Sequence, residues 1–591
     1  MCNYPSMSER FTIGMLLVLL FWNHTPLYIS DQRYGCRMGD DSKSRRTVLK
    51  GVGIASAAGL TTSLAGCVSQ NGGSDVEGAE NLGDEVPEIH LVAPTAGANP
   101  FRNELSDIVA DNWEELGFEV DREELDFNAH VDQVVVEQNF DASLLGWGGT
   151  PERIDPHTFI FDMHHSSTTG EGGRNTPGWE SDEYDELAEL QVAQVDEDER
   201  QQTVYEAQEM IAEAQPRTYI ANEGGYEPYA SARVTDINPT LGEGLNSFWN
   251  LTSVTPTDDD TVRFGYPSEI ISLNPMQDLA TPDRQFVRLI YDQLYRIGED
   301  GMPTPWLAAD DPVIEDDGMT YTVEIRDGHT FHDGESVTID DVEFTYELYA
   351  DSPTYSSLVE DIDEIDTSGN EITFHLEEQY SPFVANVLGQ VYIFPEHVWG
   401  DVDPEELVDY EDEDWIGSGP FEFVDWERQA ELQLSAFDDH FEAPNADNLI
   451  RVPGSDTAQL VNDLEAGQLD MVGAVPQPTA VDRVREDDDL DLAEFEAIGY
   501  AMIEYNMRRE PFDDRHVRRA LSYGVPKEEY VEFIRDGMGT VTHSTISEHN
   551  EFWHNPDVEQ FNEDLEAARQ ELADGGYGWD DDGRLHYGED Q

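Results

Sequence analysis

From Glu88 onward the chain alternates short apolar runs with stretches of helical period. Ile89-His90-Leu91-Val92 reads as a strand. Between Asn103 and Leu116, the residues Leu105, Ile108, Val109, Trp113 and Leu116 share one helical face, and Gly117 stops the pattern. Phe118–Leu125 alternates as a strand. Ala142–Trp147 is a buried strand that runs into a Gly148-Gly149 turn. Helices are predicted over Asp182–Gln194 and Glu199–Ala214, with Val204, Ala207, Met210, Ile211 and Ala214 as the apolar stripe of the second. Thr218–Ala221 is a strand. A second series begins at Thr261–Tyr266. It predicts helices over Phe286–Leu294, Asp340–Tyr349, His516–Tyr523, Lys527–Arg535 and Asn562–Leu572, and strands over Thr320–Ile325 and Ile372–Leu376. Gly575–Gln591, rich in Gly and Asp, reads as a loop. The class is α/β with mixed sheets, in at least two lobes.

Charge changes this picture. The 591 residues carry 127 Asp and Glu against 32 Lys and Arg, a formal charge of −95. A 38% hydrophobic fraction still supports sizeable cores, so the acidity does not signal disorder. It excludes nucleic acid as a partner, because phosphates are repelled over the whole surface, and it argues against docking on anionic lipid through a basic face. The acids are spread along the chain, and lysine occurs only at 43, 50 and 527. Adaptation to molar salt explains this better than an acidic surface built for cationic ligands. Salt near 1 M shortens the screening length to about 3 Å and removes most of the self-repulsion.

The N-terminal region reads as an address. Ser44-Arg45-Arg46-Thr47-Val48-Leu49-Lys50 is a twin-arginine pattern, an apolar small-residue stretch follows, and Leu64-Ala65-Gly66-Cys67 is a lipobox. The order resembles the twin-arginine lipoprotein signals of halophilic archaea, which export a chain already folded. Residues 1–66 are then the signal and Cys67 is the lipidated first mature residue. Phe11–Trp22 spans about 12 residues, against the roughly 20 needed to cross a membrane. It lies upstream of the arginines, so Met38 is the expected true start; a real N-terminal anchor is the alternative. Residues 67–87 read as a flexible tether. No cysteine follows Cys67, which excludes disulfides and thiolate metal sites beyond it.

Several motifs in fixed order resemble the family 5 solute-binding proteins, the dipeptide, oligopeptide and nickel receptors of ABC importers. They are Leu289-Ile290-Tyr291-Asp292-Gln293-Leu294-Tyr295, Trp306-Leu307-Ala308, Asp317–Thr322, Phe331-His332-Asp333-Gly334, Gly417-Ser418-Gly419-Pro420-Phe421, Leu464–Asp470 and Pro511–Tyr523. In that family the chain continues beyond the equivalent of Gly576-Tyr577 to a Gly-Trp motif and a Trp-Asn. Here those elements stand at the front, as Leu144–Gly149, Asp155–Phe159 and Ser247–Leu251. The sequence thus resembles a circularly permuted member of the family, with a two-lobed, hinged, type II periplasmic-binding-protein fold. One lobe is expected over 235–490. The other is expected from 88–232 together with 491–591, with hinge crossings near Tyr229–Arg233 and Asp491–Tyr500. Permutation is tolerated when the original ends lie close and the new cut falls in an exposed loop.

The resemblance implies that two lobes close on a ligand and present it to permease subunits. The family holds a peptide amine with a carboxylate just after the Gly-Trp turn. Here Thr150 occupies that position, with Glu152 or Asp155 as substitutes. The candidate ligand-binding residues are Trp147, Gly148, Gly149, Thr150, Asp155, Tyr500, Asn506, Asn274 and Ser418, with Tyr505 and Pro275 beside them. A core role for Trp147 and cross-strand packing for Tyr500, Tyr505 and Asn506 are the competing readings. His164-His165 point opposite ways on an extended segment and suit no shared ion. His329 and His332 lie in a structural motif. No catalytic residue, metal or cofactor is expected.

The expected function is a lipid-anchored receptor on the outer face of the cytoplasmic membrane. It is expected to be monomeric and to deliver a peptide or small solute to an ABC importer. An exported hydrolase of peptides or glycans is the alternative, and a surface sensor a third. The acidity also predicts that the fold loosens at low salt: circular dichroism is expected to show loss of cooperative structure at ~50 mM NaCl relative to molar salt.

Overall fold

The computed structural model describes residue 76 and residues 78–79, 81–150, 153–170, 172–277, 279–411 and 414–589. The expected signal, Cys67 and Glu152 lie outside the described residues.

Two large sheets organise the chain. The six-stranded sheet runs, edge to edge, through Thr540–Val541, Arg217–Asn222, Tyr500–Tyr505, Ala142–Trp147, Ile89–Pro94 and Val120–Leu125. Its strands come from both ends of the sequence, and Tyr500–Tyr505 lies antiparallel between two strands of the first part. One face is covered by the helix Pro100–Leu116. Asn99 caps its start by accepting from the Arg102 N–H, Pro100 opens it, and Gly117 at φ +105° ends it. Trp113 on its buried side donates Nε1–H to the Leu521 carbonyl at 3.0 Å, which ties this helix to the helix Arg515–Tyr523. The other face packs the helices Asp182–Ala193 and Glu197–Ala214 around Tyr184, Tyr219 and Tyr500.

The seven-stranded sheet runs through Phe421–Glu427, Glu431–Ala436, Asn448–Pro453, Thr261–Tyr266, Met471–Val472, Gly225–Tyr229 and Asp491–Phe495. Gly225–Tyr229 and Asp491–Phe495 therefore belong to this sheet. The backbone passes between the two sheets at residues 222–225 and 495–500; the second crossing falls within the expected Asp491–Tyr500, whereas the first comes earlier than the expected Tyr229–Arg233. The reason is pairing: both strands add antiparallel hydrogen bonds to the sheet they reach before the chain turns back.

Other boundaries also differ. Pro282 lets the helix expected from Phe286 begin at Thr281, and it ends at Ile290. The tether expected to reach residue 87 and the C-terminal loop are both partly strand. Leu82–Glu85 pairs antiparallel with Leu585–Gly588, which also pairs with Gly578–Trp579. Turn-rich composition hid these short pieces. Lys527, the one lysine among the described residues, is buried; its Nζ lies 3.0 Å from His543 Nδ1, and burial lowers its pKa to about 7.

The dispersed motifs meet at one carboxylate. Asp292 is fully buried. Its Oδ1 accepts from Trp306 Nε1 at 2.7 Å and Arg296 Nη2 at 3.2 Å. Its Oδ2 accepts from Ser418 Oγ at 3.1 Å and faces His329 Nε2 at 3.1 Å and His440 Nε2 at 3.3 Å. Gly417 and Gly419 bring their strand lead-in so close to the Ile290 and Leu289 carbonyls that a Cβ would fall 2.1 and 2.5 Å from those oxygens. Burial alone would raise the Asp292 pKa, but the surrounding donors overcome it and hold the group well below the usual carboxylate range. Asp292→Asn removes a charge on which five donors converge. It is expected to cost about 3–5 kcal/mol, read as a lowered urea midpoint in molar salt.

Candidate functional site

A cavity of about 110 Å³ lies in the half of the chain between the two crossings, and Ile154 reaches it from the other half. Arg284 and Arg288 reach it from successive turns of the helix Thr281–Ile290. Arg288 Nη2 stands 2.9 Å from Glu243 Oε2 and also donates to the Asn246 carbonyl. Arg296 lines the same wall. Its Nη1 donates to Gln293 Oε1 at 3.0 Å, its Nη2 to the Arg288 and Tyr291 carbonyls, and its guanidinium carbon lies 3.9 Å from the Phe248 ring centroid. Desolvation lowers this guanidinium to about 10. Ile154 and Leu241 supply apolar surface, and Tyr355 and Ala385 lie toward the far end.

The turn at residues 240–246 is held from below. Gly242 and Gly244 sit at φ +79° and +58°, which glycine adopts without strain. The Gly242 N–H donates to the Glu496 carbonyl at 2.7 Å, so the turn is fixed to one inter-sheet crossing. Glu227, on the strand Gly225–Tyr229, accepts from the Leu245 N–H and from Asn246 Nδ2. Burial pushes the Glu227 carboxyl up to about 8, helped by neighbouring Glu243 and opposed by the Leu245 bond.

Of the nominated residues only Pro275 is on the lining of this cavity. Trp147 ends a central strand, packs against the core that holds Tyr500, and has the Arg153 and Arg174 guanidinium carbons 4.8 and 5.1 Å from its ring centroid. Gly148 is open on its Cβ side. Gly149 is pressed against Gly499, with a Cβ position 2.2 Å from that backbone nitrogen. Thr150 is half-buried, and its carbonyl accepts from the Arg153 N–H.

Asp155 is committed to Arg200 through bonds of 2.6 and 2.9 Å. That pairing replaces the amine-holding role expected for it. Asn506 donates to the Phe140 and Gln138 carbonyls, and Asn274 to those of Leu407 and Tyr410, so both brace loops. Ser418 serves Asp292. Tyr500 places its hydroxyl beside Thr545, and Tyr505 bonds Thr218. Ile154, next to the nominated Asp155, and Pro275, next to Asn274, do line the cavity. Arg288, Arg296 and Glu243 were not singled out in the sequence; the available signal was the i, i+4 pair Arg284 and Arg288 in a chain with few basic residues overall.

Asp292, His329 and His440 offer ligand atoms within 4.8 Å of one another, the spacing of a metal centre. The hydrogen bonds assign a different role. His440 Nδ1 accepts from the Glu442 N–H at 3.0 Å, which leaves the proton on Nε2. His329 Nε2 faces the Ser418 carbonyl at 3.0 Å as well as Asp292, so it too carries a proton. Neither nitrogen has a lone pair for an ion, and the cluster is a hydrogen-bond hub. His164 bonds the Phe159 carbonyl and the Tyr219 hydroxyl, and His165 bonds Ser167.

Residues 302–590 match the family model for bacterial extracellular solute-binding proteins, family 5 Middle. Over this span, just under half of the chain, the sequence is similar to the family 5 extracellular solute-binding proteins. It is 32% identical over 278 residues to the oligopeptide-binding protein AppA of Bacillus subtilis, covering 44% of this chain and 49% of that one. It is 24% identical to the dipeptide-binding protein of Escherichia coli, covering 44% and 53%. Among solved structures, AppA from Bacillus subtilis with a nonapeptide gives a TM-score of 0.41 at 26% identity, covering 55% of this chain and 66% of that one. NikZ from Campylobacter jejuni with Ni(L-His) gives 0.43 at 21%, covering 56% and 66%. The chain spans about half the length of the curated relatives it matches.

Glu227 gives the site a pH signature. Its folded pKa lies above the ordinary 4.5, so the folded state holds the proton more tightly than the unfolded state does. Its contribution is fully present below pH 4.5 and declines as pH rises toward about 8. Glu227→Gln is expected to flatten stability across that window, measured by urea unfolding at stepped pH in molar salt.

Proposed function

We propose that this chain is the solute-binding receptor of an ABC importer, with two lobes centred on the two sheets closing over a peptide or similar small solute. One observation carries the reading. The cavity is walled by the half built on the seven-stranded sheet, with Leu241, Arg288 and Arg296, and Ile154, from the other side of the two backbone crossings, closes against it. Such a cleft with few connections is the geometry of hinge closure. Similarity to the family supports it, as do the peptide-binding names of the relatives.

The receptor hangs from the outer face of the membrane by a lipid on Cys67 after twin-arginine export, acts as a monomer, and works in concentrated salt. Its sequence is a circular permutation, a reading supported by the pairing of Leu82–Glu85 with Leu585–Gly588, which brings the two ends of the described chain together. Trp147, Gly148 and Thr150 form an outer part of the ligand wall.

The test is binding without turnover. Protein purified in molar salt is examined by native mass spectrometry for a co-purified solute, then melted with a panel of di- to nonapeptides. A receptor is expected to show a ligand-dependent rise in Tm with the peptide recovered intact. Consumption of the peptide would establish the hydrolase instead.

A further inference from the structure

The helix Asp182–Ala193 ends without a cap of its own. It has no basic residue in its last turn, and Gln194 supplies no capping N–H. The last carbonyls of a helix need donors from elsewhere. Here they come from residue 381, about 190 positions away in sequence. The Ser381 N–H donates to the Val192 carbonyl at 2.7 Å, and Ser381 Oγ lies 2.9 Å from the same oxygen and 3.1 Å from the Gln191 carbonyl.

The helix packs on the six-stranded sheet, whereas Ser381 precedes the turn Val384–Leu388, which packs with the core of the other half. The contact therefore joins the halves through segments other than the crossings at 222–225 and 495–500. Beside it, the Tyr380 ring meets His157 edge-on with centroids 5.9 Å apart. Ile154 and Ala385, neighbours of these two segments, both line the cavity.

The carbonyls are aimed by a buried cation. Arg200 Nε donates to the Gln191 carbonyl at 3.0 Å and shares the Gln191 side-chain oxygen, while its two Nη groups grip Asp155. Asp155, Arg200 and Gln191 thus set the end of the helix as one rigid unit.

We propose that Ser381 caps this helix across the cleft and holds the chamber shut. The inference rests on the closure reading above. It assigns Ser381 the role of a closing contact, and Arg200 that of a positioning residue acting through Gln191. The negative end of a helix dipole repels a carboxylate, so Ser381→Asp works against the contact, whereas Ser381→Ala only removes the hydroxyl bonds and keeps the N–H.

The experiment needs no ligand. Cys2, Cys36 and Cys67 are the only cysteines. With these changed to serine, Glu186→Cys and Glu378→Cys, both exposed, receive nitroxide labels on either side of the contact. Distance distributions are recorded by pulsed electron resonance in molar salt. With Ser381 present, one short population is expected. S381D is expected to add a longer population, and S381A to fall between. Identical distributions for Ser381 and S381D, with circular dichroism showing both folded, would overturn the cap. If S381D does not fold, S381A decides: no change in its distribution overturns the proposal. That failure would leave the receptor reading intact, because the peptide melting panel tests it separately.

Discussion

A single buried negative charge organises the half of the molecule built on the seven-stranded sheet. An unpaired carboxylate taken out of water is costly, and Asp292 is tolerable only because Trp306, Arg296, His329, His440 and Ser418 all converge on it. These donors come from five separate stretches of sequence. Satisfying one carboxylate therefore fixes where four loops and the strand Tyr295–Ile297 lie. Arg296, held there by one Nη, presents its remaining face to the cavity, so a demand of the core becomes the shape of a wall.

Parts of the structure were readable in the sequence. The Asp292, Trp306, His332 and Ser418 motifs stood out through their resemblance, in order and spacing, to those of the family 5 solute-binding proteins. The helix Pro100–Leu116 was readable from its apolar face and its terminal glycine. The pairing of Leu82–Glu85 with Leu585–Gly588 was not, since four-residue strands in turn-rich segments carry no period long enough to register. The candidate site was less legible than the fold. Asp155 and Asn274 have the chemistry of ligand-holding groups, yet their partners are Arg200 and two backbone carbonyls. Sequence offers residue type and spacing, but commitment to an internal partner depends on contacts far apart in the chain.

The turn at 240–246 shows how the frame and the cavity are coupled. Glu227 holds it from the seven-stranded sheet and the Glu496 carbonyl holds it from a crossing strand segment, while Glu243 faces Arg288 in the chamber. Movement about the crossings would shift this turn and with it the charge pair on the wall. The packing leaves little slack for the two to move independently.

The scarcity of lysine has a chemical corollary. Nζ of Lys527 is enclosed between Thr542 and His543, and every other cation on the described body is an arginine or a histidine. Acylating agents, aldehydes and enzymes that build isopeptide bonds therefore find no lysine handle on its outer face. Among the described residues the permanent positive charge of the surface is carried by guanidinium groups, flat and forked, which stay charged at any pH the cell meets and shed their water more readily than an ammonium does.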